Sequence, residues 1–349
     1  MMQAIDPQQP LSFLVIRRDN IGDLVCTTPV FQALRERYPQ ARIYALTNTY
    51  NLPVLHGNPF VDATFAYMKA KHRDSDTSLW SVYARRLRVI MALRRAKIDY
   101  AILAACGYVP RAMRFAKLAN PKHIIGYVDA AHRNAIDMPI HYELTQPLHE
   151  VEDVFRILRP LGIEGKPPPL FTSPSRDESE RARAAFVAQG VRGAPIAIHI
   201  SARKPSNRWP IERFIELIRA LHAAQGREFV LLWSPGDHSN PHHPGDDANA
   251  AKIMAATRGI PIAAFPTHKL EELIAALSLA EAVVCSDGGA MHIAAALRKR
   301  IVCFFGDSDA ARWHPWAVPH VVLQKPTLQA ADIGVEETMT AFTRLMAQT

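Results

Sequence analysis

The chain has 349 residues, 48% of them hydrophobic and 21% charged, a make-up that excludes disordered, fibrous and membrane-spanning classes. No apolar run approaches the ~18 residues that cross a bilayer. Residues 1–10 lack the basic and apolar regions of a signal peptide, so a cytoplasmic chain is expected. The formal net charge of +8 implies anionic partners without choosing among nucleic acid, anionic lipid and sugar phosphate.

The length suits two domains of about 170 residues each. Residues 12–17 read as a short β-branched strand, followed by the polar loop Arg18-Asp19-Asn20-Ile21-Gly22-Asp23. Residues 24–37 are helical in pattern, with Val30, Phe31 and Leu34 on one face, and residues 41–46 form the next strand. Strand, loop, helix, strand announces an α/β fold with a parallel sheet. No G-x-G-x-x-G follows the first strand, which disfavours a dinucleotide-binding dehydrogenase. Residues 69–97 carry nine Lys or Arg against two acids, with Trp80, Tyr83, Leu87, Ile90, Met91 and Leu93 interleaved. This is an amphipathic helix whose basic face is either simply solvated or meets an anionic lipid or acceptor. Residues 101–104 and 124–127 read as strands and residues 149–158 as a helix.

The proline run 167–169 is a stiff connector. It sets the expected domains at residues 1–165 and 166–349, with the last helix able to return to the first domain. Residues 177–188 read as a charged helix that continues the connector, and the same pattern then restarts. Strand 195–200 leads into the polar loop 201–210 and helix 211–224, which has Pro210 at its start. Strands 229–233 and 262–265 and helix 270–279, capped by Thr267, follow. Val283 to Gly306 is the centre of the chain: strand 282–285, the turn Ser286-Asp287-Gly288-Gly289, helix 290–297, and strand 301–305. A last helix spans 336–346. Beyond this shared architecture no internal repeat is present. Cys26, Cys106, Cys285 and Cys303 lack metal or disulfide spacing and read as small core residues.

Three loops have the residues for chemistry. The Gly288-Gly289 turn opens a helix, so backbone N–H groups and the helix's positive end face an anion there. Asp287 is either the helix N-cap or part of that site, and His292 is either packed or a ligand contact. The loop after strand 195–200 offers Ser201 as a hydroxyl donor and Lys204 and Arg208 as cations, with Arg203 also present. It is otherwise an exposed basic loop. Asp23 is either the cap of its helix or a general base. The loop 234–249 is rich in His and Asp, but its spacing matches no standard metal site, so no metal is expected.

Together, Arg18 to Asp23 with Thr27-Thr28-Pro29, Arg208-Trp209-Pro210, and the run from Ser286 to Leu297 with Phe305-Gly306 resemble glycosyltransferase family 9, the ADP-heptose:lipopolysaccharide heptosyltransferases and relatives. The resemblance runs in order over residues 12–320. It implies a GT-B fold: two doubly wound Rossmann-like domains facing a central cleft, the first for acceptor and the second for donor. It makes Asp23 the catalytic base. Asp287, Gly288, Gly289 and His292 fall on the donor-binding run, with Gly288 where the family usually has a hydroxyl. Ser201, Lys204 and Arg208 join them at the donor phosphates. Asn207 stands where a lysine is common, leaving Lys204 or Arg208 to supply the charge. Arg18, Asn20 and Gly22 are placed on the acceptor side.

The implied reaction is an inverting, metal-independent transfer with no cofactor. A sugar, heptose from ADP-heptose, goes to an anionic glycolipid, the lipopolysaccharide inner core. The implied place is the cytoplasm, with peripheral contact at the inner membrane, and no nucleic acid is expected as partner. The alternatives are a GT-B-fold sugar-nucleotide epimerase, which would form product without acceptor, and a non-catalytic nucleotide-sugar-binding protein.

Overall fold

The computed structural model describes residues 5–67, 79–141, 148–237 and 245–348. The chain divides into two units, Met1–Phe171 and Thr172–Thr349, a few residues beyond the proline run. Each holds one fully parallel six-stranded sheet.

In the first unit the strands are β1 Ser12–Ile16, β2 Arg42–Asn48, β3 Ala63–Tyr67, β4 Tyr100–Leu103, β5 His123–Val128 and β6 Met138–His141. Its helices are α1 Ile21–Arg37, α2 Leu79–Arg95, α3 Pro110–Ala119 and α4 Glu150–Phe155. The sheet order is β3-β2-β1-β4-β5-β6. β1 is buried throughout, as a central strand flanked on both faces should be. Phe115, Met113 and Leu93 fill one side against Leu14, Ile16 and Leu46.

The second unit opens with α5 Arg176–Ala188. β7 Ile196–His199, α6 Ile211–Gln225, β8 Phe229–Trp233, α7 Asp247–Ala256 and β9 Ile262–Pro266 follow. Then come α8 Leu270–Leu279, β10 Ala282–Ser286, α9 Gly289–Ala296, β11 Arg300–Phe305, α10 Ala310–Trp313, β12 His320–Gln324 and α11 Val335–Met346. Its order is β12-β11-β10-β7-β8-β9. Counted from its own first strand this is 3-2-1-4-5-6, the order of the first unit. The shared pattern seen in sequence is therefore a shared topology. In both, the chain changes direction across the sheet between the first and fourth strands. That switch point is where open α/β sheets bind ligands, beyond the strands' carboxyl ends.

The long periodic elements fall where the sequence puts them. Phe214, Leu217, Ile218 and Leu221 line the buried face of α6, which stops at Gly226 in the left-handed region at φ 61. Six elements are not evident in the sequence: β3, β6, β12, α3, α7 and α10. β6 contains Pro139, which an edge strand tolerates and a sequence pattern discounts. α7 follows a loop rich in Pro, Gly and His that hides its start. Three boundaries also change. α1 begins at Ile21 with Asn20 as N-cap, so Asp23 is the third helical residue and not the cap. Gly288, not Asp287, precedes α9. Lys269 precedes α8, while the Thr267 hydroxyl donates to the Trp233 carbonyl.

Helix α11, allowed by the sequence to reach the first domain, buries Phe342 and Leu345 in the second unit's core. Of the basic segment, residues 69–78 lie outside the described residues. In α2 the expected inward face is only partly inward: Leu93 is buried, whereas Leu87 and Met91 are exposed.

Candidate functional site

In the first unit the switch point is occupied by a charge cluster. Arg17 follows β1 directly and is buried. Its guanidinium makes hydrogen bonds through both Nη atoms, while Nε has an ion-pair neighbour but no hydrogen bond among the described residues. Nη1 donates to the Ala104 carbonyl beyond β4 at 2.6 Å, and Nη2 donates to Asp23 Oδ1 at 2.8 Å and Glu150 Oε1 at 2.9 Å. Nε lies 3.2 Å from Asp19 Oδ2. Burial alone would lower the arginine's pKa. Asp23, Glu150 and Asp19 outweigh it and hold the group above its ordinary value. Three carboxylates thus share one cation in a mostly dry setting.

Asp23 is the partly accessible partner of Nη2 in this cluster. Its side chain is 12% exposed. Oδ2 accepts from the backbone and side-chain nitrogens of Asn20 at 2.8 and 2.9 Å, while Oδ1 accepts from Arg17. The capping box therefore serves a second purpose. It closes the helix end and fixes the carboxylate's rotation. Asn48 and Asn51 tie down the same loop through the carbonyls of Arg18, Asp19 and Asn20.

Of the residues expected on the acceptor side, Asn20 is that cap and Gly22 is buried in the first turn of α1. Arg18 donates to the Tyr67 hydroxyl and lies 4.7 Å from the ring centroids of both Tyr67 and Phe115. Burial raises the Tyr67 pKa above its ordinary value, with Arg18 opposing. Arg18 is thus held against an aromatic shelf.

In the second unit the switch point lies between β7 and β10. Asn207 is buried there, inside a 3-10 turn at Pro205–Asn207. Its amide nitrogen donates to Asp287 Oδ2 at 3.1 Å and to the Asp287 carbonyl at 3.3 Å. Its oxygen accepts from Gly306 N at 2.8 Å. One neutral side chain ties the ends of β10 and β11 to the loop after β7. The approach is close: a Cβ on Gly306 would sit 2.2 Å from the Ser206 carbonyl oxygen. Only glycine fits there.

Lys204 reaches across the same gap to Asp307 Oδ1 at 3.3 Å and Ser308 Oγ at 3.1 Å. The Ser206 hydroxyl and then the Lys204 ammonium hold the Asp307 carboxyl below its ordinary range. Gly288 is exposed with nothing within 4 Å of its would-be Cβ, so the turn at the α9 start is open. His292 is buried one helical turn on, edge-to-face with Trp313 at 5.9 Å.

Asp287, Gly288, Gly289, His292 and Lys204 are therefore gathered at one corner of the sheet. Two expected phosphate contacts already have partners within the chain, the Ser201 hydroxyl and one of the Arg208 donors. The Ser201 hydroxyl donates to Asp246 Oδ2 at 2.6 Å, and Arg208 Nε donates to the Ala202 carbonyl at 3.1 Å. His199, at the end of β7, is buried, and its Nδ1 has no partner among the described residues. Burial pushes its pKa down to about 4, against the pull of Asp246.

A model of glycosyltransferase family 9 (heptosyltransferase) matches residues 86–341. The chain belongs to this family. Lipopolysaccharide heptosyltransferase 3 of Escherichia coli is 27% identical over 299 residues, covering 85% of this chain and 84% of that protein. Lipopolysaccharide heptosyltransferase 2 of Salmonella typhimurium is 25% identical over 312 residues, 86% and 84% of the two chains. Among solved structures, a family 9 glycosyltransferase from Veillonella parvula aligns with a TM-score of 0.81 at 17% identity, over 99% of this chain and 100% of that one. ADP-heptose lps heptosyltransferase II of E. coli aligns at 0.76 and 19%, over 97% and 99%. These likenesses establish the GT-B fold, and the family makes the chain a glycosyltransferase.

For a family 9 protein the sequence reading overlooked several partners of the quoted motifs: Arg17, Glu150, Asp246, Asp307 and Ser308. Arg17 and Asp307 share a signal that was available, a charged residue just past an apolar parallel strand. Glu150 and Asp246 carry no such mark. Of the His and Asp in the loop 234–249, His238, His242 and His243 lie outside the described residues.

Two outcomes follow from the buried charges. Arg17→Ala leaves Glu150 and Asp23 without their shared cation and costs about 3–5 kcal/mol. Urea unfolding measures this, and a loss under about 1 kcal/mol would show that the cluster does not depend on the guanidinium. His199 is depressed in the folded state, so its contribution is complete above its ordinary value of 6.5 and fades as pH falls toward 4. Between pH 7.5 and 5 the wild type should lose about 2 kcal/mol more than His199→Asn. Parallel stability curves for the two proteins would contradict the shift.

Proposed function

We propose that the chain is an inverting heptosyltransferase that moves heptose from ADP-heptose onto the inner core of lipopolysaccharide or a related anionic glycan, at the cytoplasmic side of the membrane. The observation that carries the reading is the Asp23 carboxylate. It is oriented by Arg17 and Asn20, is partly accessible, and stands at the switch point of its sheet. The names of the curated relatives, lipopolysaccharide heptosyltransferases 3 and 2, support the donor sugar and the acceptor.

In the proposed step the acceptor hydroxyl oxygen attacks the anomeric carbon of the donor. Its proton passes to Asp23, and the bond between the anomeric carbon and the β-phosphate oxygen breaks. ADP leaves with the bonding pair. Oδ1 accepts only the Arg17 bond at 2.8 Å and keeps a second acceptor direction for the incoming proton.

On the donor side, charge grows on the leaving diphosphate. The N–H groups of the Gly288-Gly289 turn and the positive end of α9 stabilise it, with Lys204 as the cation that a phosphate draws away from Asp307. Asn207 holds the turn through Asp287 and is not itself the counter-charge. Ser201 joins the diphosphate only by giving up its bond to Asp246, whereas Arg208 can meet it through its Nη groups with Nε still on Ala202. Charge stabilisation by these groups is what makes a metal-independent transfer feasible. His292 supports the turn from within α9. On the acceptor side, Arg18 offers its guanidinium beside the loop, Asn20 orients Asp23, and Gly22 lets the loop close tightly on α1.

Asp23→Asn keeps the shape and removes the base. Transfer should fall by about 10²–10⁴-fold with ADP binding unchanged. Turnover near the wild-type rate would remove Asp23 from the mechanism. Lys204→Ala should weaken ADP binding about tenfold, the loss expected for one charge-assisted contact. Calorimetry with ADP, UDP and GDP reads both the lysine's role and the choice of base. Tighter binding of UDP or GDP would overturn the donor assignment.

A further inference from the structure

Helices α2 and α3 touch, and neither contains a single Asp or Glu. α2 carries Arg85, Arg86, Arg88, Arg94 and Arg95, and α3 carries Arg111, Arg114 and Lys117. Five and three make eight positive charges, equal to the formal net charge of the whole chain, +8. The rest of the protein is balanced, so the excess sits on this one pair of helices.

The same face is greasy. Leu87 is 56% exposed, and Met91 and Leu118 are each 40% exposed. They are three of the six most exposed large apolar side chains among the described residues. Leu87, Met91 and Arg94 are spaced four and three residues apart and so form one stripe along α2. Arg111, Arg114 and Leu118, three and four apart, form a stripe along α3. The stripes meet where Arg94 Nε donates to the Leu118 carbonyl at 2.9 Å. The opposite side of each helix is spent on the core through Leu93, Met113 and Phe115.

We infer that this two-helix face is the surface by which the enzyme docks on an anionic lipid bilayer, with Leu87, Met91 and Leu118 entering the headgroup boundary inside a ring of arginines. Exposed leucine and methionine beside the exposed Arg88, Arg94, Arg95, Arg111, Arg114 and Lys117 match a surface that is anionic outside and apolar just beneath. The two other occupants fit less well. A nucleic acid backbone offers negative charge but no apolar layer for Leu87, Met91 and Leu118 to enter. A second copy would bring the same positive charge against itself. The inference names the membrane contact of the proposed glycolipid enzyme, but its physical content needs no substrate.

The test uses the full chain and sedimentation with vesicles of phosphatidylcholine, alone or with about 30% phosphatidylglycerol, at about 50 and about 500 mM salt, ionic strengths that differ severalfold in screening length. Binding should be at least about tenfold tighter to the anionic vesicles and should weaken about tenfold at high salt. Arg88→Glu with Arg114→Glu should abolish it. Leu87→Ser with Met91→Ser and Leu118→Ser should reduce it about tenfold while keeping the salt dependence. All five sites are exposed, and unchanged melting temperatures confirm intact folding. Equal binding to both vesicle types, or wild-type binding by both variants, overturns the inference. So does displacement of the protein from anionic vesicles by single-stranded RNA at equal charge. Transfer to a soluble, delipidated acceptor should be the same for wild type and both variants. If that activity is absent from all three, the proposed reaction is at fault and the docking result still stands.

Discussion

Everything at the first unit's switch point hangs on one guanidinium that is shared. Arg17 is desolvated, and its own burial works against its charge. It remains cationic because Asp23, Glu150 and Asp19 surround it. The reverse also holds: the pairing with Arg17 at 2.9 Å offsets the cost of burying the Glu150 carboxylate. Nη2 is the shared atom, 2.8 Å from Asp23 and 2.9 Å from Glu150. Glu150 therefore sets how much of the positive charge Asp23 receives. One arginine divided among three acids orients the Asp23 carboxylate without being devoted to it.

The second unit solves the equivalent problem without charge. Asn207 is as deeply buried as Arg17 and also links three chain segments. Being neutral, it needs no counter-ion, and its amide uses both a donor and an acceptor. A lysine in that buried position would have to take up the Asp287 carboxylate to remain charged. With asparagine there, the positive charge stands three residues earlier on Lys204, nearer the surface and balanced by Asp307. The departure from the family's usual lysine thus moves the cation without removing it.

What the sequence made readable was whatever depends on near neighbours. Apolar runs such as residues 282–285 and 301–305 are strands because buried parallel strands need apolar side chains on both faces. The Gly288-Gly289 turn and the Arg18 to Asp23 loop were recognisable because a strand, a turn and a helix follow in order. The failures have equally local causes. β6 was lost to its proline, and the start of α1 was misplaced because Asn20 and Asp23 are both good capping residues. What stayed hidden was pairing at long range. Arg17 meets Glu150 across 133 positions and Lys204 meets Asp307 across 103, and no periodicity encodes either. Ser201 was read as free to give its proton to a phosphate, yet Asp246, also distant in sequence, takes it.

The docking face and the Asp23 loop belong to the same unit, and α3 joins them. Phe115 turns inward from α3 and meets the guanidinium of Arg18 at 4.7 Å, one residue from Asp19 of the charge cluster. Arg114 and Leu118, its neighbours on the helix, turn outward. A single ten-residue helix thus has one face on the loop that positions the carboxylate and the other on the surface proposed to meet lipid. For an acceptor whose sugar is tethered to a bilayer this placement matters physically. In the proposed docking, α3 sets the height of the loop above the headgroups, so the acceptor's search is reduced from three dimensions to a layer. Part of the entropy of bringing enzyme and acceptor together is then met by membrane binding before the sugar is engaged.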